Sequence, residues 1–201
     1  MTGRLPTVFL WALVATLVAG CATTTPTRFY TLSATAAAEP AALPPTSFSV
    51  GVGPVRMPEV LDRPQMVLRA GANRVTIDEF NCWASPLPTN AARVVAENLV
   101  RLLGTPRVTL YPQGPTLNPD YRVEIDFLRF ESAPGEAATI EALWTARRTS
   151  DGRARTARTE LREVPSEAGI DGVVAAHSRA LGRLSEDVAG AIRALESSGK
   201  R

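Results

Sequence analysis

The stretch Tyr121-Arg122-Val123-Glu124-Ile125-Asp126-Phe127-Leu128-Arg129-Phe130 decides the fold. Tyr121, Val123, Ile125 and Phe127 alternate with Arg122, Glu124 and Asp126, the period-two pattern of a strand with one face on a core and the other in water. The parity then flips at Leu128 and Phe130. One extra residue sends every later side chain to the opposite face, so this flip predicts a β-bulge or register shift. Downstream, Ala138, Ile140, Ala142, Trp144 and Ala146 resume the alternation, and Ser150-Asp151-Gly152 supplies a hairpin turn into a polar strand from about Ala154 to Val164. An antiparallel meander is therefore expected.

Upstream, Phe48, Val50 and Val52 alternate as far as Pro54 and predict a core strand. Gly51 and Gly53 lie in it, but no third glycine follows at dinucleotide spacing and no Lys-Ser/Thr follows at all, so close packing against a neighbour explains them better than a phosphate loop. Met66–Arg69 and Arg74–Asp78 flank Ala70-Gly71-Ala72-Asn73 as a hairpin, and Asn81 to Pro88 reads as a proline-bounded loop. Thr89 or Asn90 can cap a helix running to about Leu103, with Gly104 as its stop. Its apolar residues Ala91, Val94, Val95, Leu99, Leu102 and Leu103 recur at steps of three and four, while Arg93, Glu97 and Arg101 line the other side. Arg107–Tyr111 starts a further strand. A last helix, about Ala168 to Ser197, carries a second apolar stripe from Ile170 to Leu195. The order β-β-β-α-β-β-β-β-α gives an α+β fold: a mostly antiparallel sheet with two amphipathic helices packed on one face.

The 201-residue chain has a formal net charge of +2 and 45% hydrophobic residues, a globular share with no basic excess that would call for nucleic acid. Residues 1–20 differ from the rest. A basic start at Arg4, an apolar run from Val8 to Val18 and the small residues Ala19 and Gly20 before Cys21 have the order of a secretory signal. The run is too short for the roughly 20 residues of a transmembrane helix. Leu17-Val18-Ala19-Gly20-Cys21 resembles the lipobox of bacterial lipoproteins, which implies cleavage before Cys21 and covalent attachment of diacylglycerol and an N-acyl chain there. Ala22, in place of Asp, points by the same resemblance to the outer membrane, on its periplasmic face. Residues 21–46 are then expected to be a lipidated N-terminus in which the short strand around Arg28–Ser33 interrupts an Ala/Pro-rich tether, and residues 47–201 a single domain.

Catalytic or metal chemistry finds little support. His177, the sole histidine, sits on the apolar stripe of the last helix without a second ligand at metal spacing, and no Gly-x-Ser-x-Gly elbow occurs. Cys82, the one thiol left after lipidation, reads as a buried small residue. No enzyme activity, metal or further cofactor is expected. The best binding candidate is a basic patch of Arg147, Arg148, Arg153, Arg155, Arg158 and Arg162 on one hairpin, suited to lipid headgroups or an acidic partner. Asp151 and Glu160 dilute it, and plain solubility of an edge strand competes as its explanation.

Several segments together resemble the ABC-type transport auxiliary lipoproteins, the PqiC/YmbA-like family. They are Phe29-Tyr30-Thr31-Leu32, the long block from Val52-Gly53-Pro54-Val55-Arg56-Met57-Pro58 through Val67, and Trp83-Ala84-Ser85-Pro86-Leu87 leading into Arg93–Leu99. The resemblance implies an outer-membrane-anchored lipoprotein that docks to an MCE-domain protein and ABC transporter components moving lipids or other hydrophobic molecules between membranes. It also allows a homo-oligomer. A structural or assembly lipoprotein of the envelope and, less favoured, an envelope enzyme are the alternatives on the sequence alone.

Overall fold

The computed structural model describes residues 25–37, 47–112 and 118–198. The leader 1–20, Cys21 and most of the Ala/Pro-rich run lie outside them. Among the described residues eight strands form one mixed sheet: β1 (Arg28–Tyr30), β2 (Val50–Arg56), β3 (Gln65–Gly71), β4 (Arg74–Trp83), β5 (Val108–Leu110), β6 (Tyr121–Ala133), β7 (Ala137–Arg148) and β8 (Ala154–Glu163). The helices are α1 (Leu87–Leu103) and α2 (Gly169–Ser198), both on one face of the sheet. The expected α+β architecture and element order are present.

The meander β6-β7-β8 is antiparallel throughout. Its register slips where the parity flip predicts: Phe127 pairs with Ala142 and Arg129 with Glu141, leaving Leu128 as the extra, exposed residue. The helix-facing row of Val123, Ile125, Ile140, Ala142 and Ala146 is fully buried against Leu181, Leu184, Val188 and Ile192 of α2. Each large aliphatic side chain buried in this way contributes about 1.5–3 kcal/mol.

The other long edge of β6 is shared by two strands. β2 runs parallel to it from Tyr121 to Asp126, and β3 meets it only through Leu68 and Ser132. Between them residues 57–64, including a 3-10 turn at Glu59–Leu61, cross the gap. Close approach explains both glycines of β2. A Cβ on Gly51 would lie 2.8 Å from Pro119, and one on Gly53, whose φ is 131°, would lie 2.3 Å from the Tyr111 carbonyl oxygen.

Helix α1 begins earlier than the cap reading expects. Pro86 occupies the N-cap, Pro88 lies in the first turn, where a missing N–H costs nothing, and Gly104 ends the helix in the left-handed conformation. Asn90 is therefore not a cap. It is a buried helix residue whose side-chain oxygen accepts from the Thr31 hydroxyl at 3.3 Å and from Arg93 at 3.0 Å.

Two expectations about the N-terminal region change. Asn81, Cys82 and Trp83 belong to β4 rather than to a loop, because β1 pairs with them in parallel and satisfies their backbone. Thr31–Ser33 lie beyond the end of β1, which is shorter than expected, and residues 34–37, expected to begin the tether, are part of the folded body. Leu32 is 1% exposed and Ala36 is 5% exposed, and the segment lies along the groove between α1 and α2. The Ser33 N–H donates to Ser178 Oγ (3.1 Å), Thr35 Oγ1 to the Ser178 carbonyl (3.0 Å) and the Ala36 N–H to Asn98 Oδ1 (2.9 Å). Arg93 and Arg101, read from spacing as a solvated side, donate to the carbonyls of Leu32 and Ala34. The folded body thus reaches back to β1, ahead of residue 47.

Asn98 is fully buried, and its amide nitrogen also donates to Ser185 Oγ of α2 at 3.3 Å. Asn98→Ala leaves a buried backbone N–H unmet, so it is expected to cost about 1–3 kcal/mol. Denaturant unfolding should show that loss, and limited proteolysis should open the chain within residues 31–37. Wild-type stability in the variant would contradict this role.

Candidate functional site

Three places in the fold merit a functional reading: the buried His177, the arginine hairpin, and the end of the molecule where β1 enters the sheet. His177 of α2 stacks on Phe130 of β6, with ring centroids 4.0 Å apart and planes 6° from parallel. Its Nε2 lies 2.9 Å from Ser132 Oγ, so the fold does bring the one histidine to a serine. Both side chains are buried, and His177 Nδ1 has no hydrogen-bond partner, so no carboxylate orients the ring as a third member would. Burial lowers the His177 pKa to about 3, which keeps the imidazole neutral and the pair a packing feature. Cys82 is also buried. Among the described residues no group of three or more His, Cys, Asp or Glu side chains is placed to hold a metal ion.

The six arginines do not form one surface. Strand alternation divides them: Arg155 registers with the buried Ala146 on the helix side, whereas Arg158 registers with Leu143 and Arg162 with Thr139 on the open side. Carboxylates neutralise three of them. Arg148 lies 3.5 Å from Glu196 and 3.7 Å from Asp151, and Arg153 lies 2.9 Å from Asp151. Arg147 donates to the Gly152 carbonyl at 3.0 Å, and Arg158 pairs with the buried Glu141. Among the described residues only Arg155 and Arg162 of the six lack a polar partner. Arg155 lines a groove between β8 and α2 together with Glu186 and Asp187.

The open face of the sheet carries a lattice of charge. Arg129 pairs with Glu131 (3.0 Å) and reaches Glu160 (3.5 Å), and Arg69 pairs with the same Glu131. The Arg129 guanidinium, with Arg69 beside it, holds the Glu131 carboxyl below its ordinary pKa. Where β2 and β3 part along β6, a cavity of about 300 Å³ opens, walled by Val60, Leu61, Val67, Leu128 and Phe130 with Arg69 and Arg129 at its rim. The bulge at Leu128 forms part of that wall.

At the opposite end of the β3–β4 hairpin from its turn, β1 leaves two large aromatic side chains in water. Phe29 is 68% exposed and Phe80 is 49% exposed. The Asp78 carboxylate accepts from the backbone N–H groups of Phe80 (3.0 Å) and Asn81 (3.1 Å) and from the Asn81 amide (2.8 Å). These bonds hold the irregular turn of β4 between its pairings at Asp78 and Cys82, and Phe80 stands on that turn. Sequence reading missed this feature, because the β1 partner that fixes Asn81–Trp83 is only three residues long.

A family model described as ABC-type transport auxiliary lipoprotein component matches residues 30–189. The chain belongs to that family. It is thereby an auxiliary lipoprotein component of ABC-type transport, associated with the cell envelope, in a family that is not one of enzymes. Among curated proteins none matches the chain. Of solved structures, protein XCC0632 from Xanthomonas campestris has a TM-score of 0.69 at 22% identity over 86% of this chain and 99% of its own. A second, an uncharacterized protein, has a TM-score of 0.67 at 19% identity over 83% of this chain and 99% of its own. Both share the fold of this auxiliary lipoprotein. The family match begins inside β1, in keeping with a body that includes the N-terminal strand.

The neutral His177 gives this lipoprotein a pH signature. Below the ordinary value near 6.5 the unfolded chain takes up a proton that the folded one refuses until about pH 3. The contribution is therefore whole above pH 6.5 and lost as the pH falls, at up to about 1.4 kcal/mol per pH unit. Denaturation between pH 7 and 5 should show that slope in the wild type and a flatter one in His177→Gln. Equal slopes in the two proteins would show that the histidine takes its proton in the folded state.

Proposed function

We propose that this lipoprotein is anchored in the outer membrane through acyl chains on Cys21 and, from the periplasmic face, docks to and supports an MCE/ABC-type system that moves lipids or other hydrophobic solutes between membranes. Its role is docking, without catalysis. The family match supports transport as the setting. The observation that carries the reading is the placement of the folded body directly behind the lipobox: β1 starts seven residues after Cys21, and residues 31–37 are stitched to both helices.

Several acyl chains on one residue make anchoring stable, since each buried methylene adds about 0.8 kcal/mol and a single chain is marginal. A link of seven residues spans at most about 25 Å when fully extended. The domain is thus confined to a thin layer over the bilayer, which raises its effective concentration toward a partner reaching across the periplasm. Diffusive search in three dimensions becomes search in a layer. Arg155 and Arg162, which have no polar partner among the described residues, are the members of the basic hairpin available to an acidic partner or to lipid headgroups.

Two measurements check this. Cys21→Ala should move the folded domain from the membrane fraction to the soluble one and abolish its function in the envelope; a cleaved variant that stayed membrane-bound would overturn the anchor. Affinity capture of the acylated protein from membranes should recover MCE-domain or ABC-transporter chains, and recovery of neither would remove the docking reading. The same capture, sized by native mass measurement, reports whether copies of this chain associate.

A further inference from the structure

The end of the molecule where β1 enters the sheet has a composition of its own. Arg28 is exposed, with no polar partner among the described residues, and the next residue is the exposed Phe29. Arg28 registers with Asn81 and Phe29 with Cys82, so Phe80 is the neighbour just beyond the last paired position. Phe80 thus stands on the irregular turn two residues ahead of Cys82, the residue that registers with Phe29. Large exposed phenylalanines are costly in water, and the Asp78 carboxylate spends three hydrogen bonds on the turn that carries one of them. Elsewhere on the sheet, Val75 and Ile77 of β4 are exposed as smaller aliphatic side chains, and the exposed Leu128 and Leu143 stand among ion pairs of Arg129, Arg158 and Glu141.

We infer that Arg28, Phe29 and Phe80 form a membrane-resting edge, with the two rings in the headgroup–acyl boundary and the guanidinium on lipid phosphate. The inference rests on Cys21 being the lipid anchor. Its occupant is a lipid surface because of chain length: Arg28 lies seven residues from the acylated cysteine, so this edge stays within about 25 Å of the bilayer in every conformation of the link. At that distance a small contribution suffices, because the anchor has already removed the translational cost of finding the membrane. Aromatic rings and a nearby arginine are the residue types that settle at such an interface. The contact fixes an orientation. With β1 toward the lipid, the domain presents a defined set of surfaces to the periplasm in place of tumbling on its link.

The test uses the full acylated protein, carrying Cys82→Ser, in vesicles of phosphatidylethanolamine and phosphatidylglycerol. An environment-sensitive fluorophore is placed on a single new cysteine at position 29, 80 or 143, and lipids with nitroxide-bearing acyl chains act as quenchers. The prediction is several-fold stronger quenching and a blue-shifted emission at 29 and 80 relative to 143, with the shift lost in a variant that also carries Arg28→Glu and an aspartate at the unlabelled phenylalanine. Membrane-bound protein whose three sites report the same aqueous environment would overturn the membrane-resting edge while leaving the anchor standing. A blue shift at 29 and 80 without lipid quenching, growing with protein density on the vesicle, would overturn it in favour of a second copy on this edge. Protein that fails to float with vesicles would overturn both the anchor and the edge that depends on it.

Discussion

The carboxamide of Asn98 sits where three parts of the chain meet. It accepts from the Ala36 N–H of the N-terminal segment, donates to Ser185 of α2, and is carried by α1, with no access to water. A buried amide left unsatisfied would cost more than it contributes, so the three elements hold one another in a single arrangement. Around it Ser178, Thr35, Arg93 and Arg101 add bonds of the same kind between backbone and side chain. The helices then lie at a fixed position on the meander, and the N-terminal strand is fed to the edge of β4 where it completes the sheet.

This arrangement has a mechanical consequence for a lipoprotein. If the Ala/Pro-rich run were the tether, the domain would ride on a long flexible leash. Because residues 28–37 belong to the body, the leash under the proposed anchoring at Cys21 is only the short stretch of sequence ahead of β1. A short link favours a defined distance and orientation at the membrane, which suits the docking role proposed for it.

Much of the fold was legible from periodicity. The parity flip at Leu128 located the bulge, Gly104 ended α1, and the alternating rows of β6 and β7 gave the core face. The N-terminal strand was harder for a physical reason: a three-residue strand flanked by small residues and prolines carries too little pattern, and its stability comes from pairing with Asn81–Trp83 far along the chain. Asn90, Asn98, Ser178 and Ser185 fall on the apolar stripes of their helices at positions where a polar residue needs an explanation, and that was the available signal for a buried network. The arginine hairpin was misleading as a patch because clustering in sequence is divided by strand alternation in space. Arg147 and Arg148 already point to opposite sides, and acidic neighbours distant in sequence, Glu141 and Glu196, pair with two of the six.

The membership of the N-terminal segment in the folded body is the claim on which the proposed docking depends, and native-state hydrogen exchange of the Ser33 and Ala36 amides tests it most directly. Both N–H groups are bonded to side chains of the helices. Their protection should approach that of core amides such as Leu99 in α1, with exchange limited by opening of the domain. Exchange at the rate of a free peptide would contradict the account and take residues 31–37 out of the folded body.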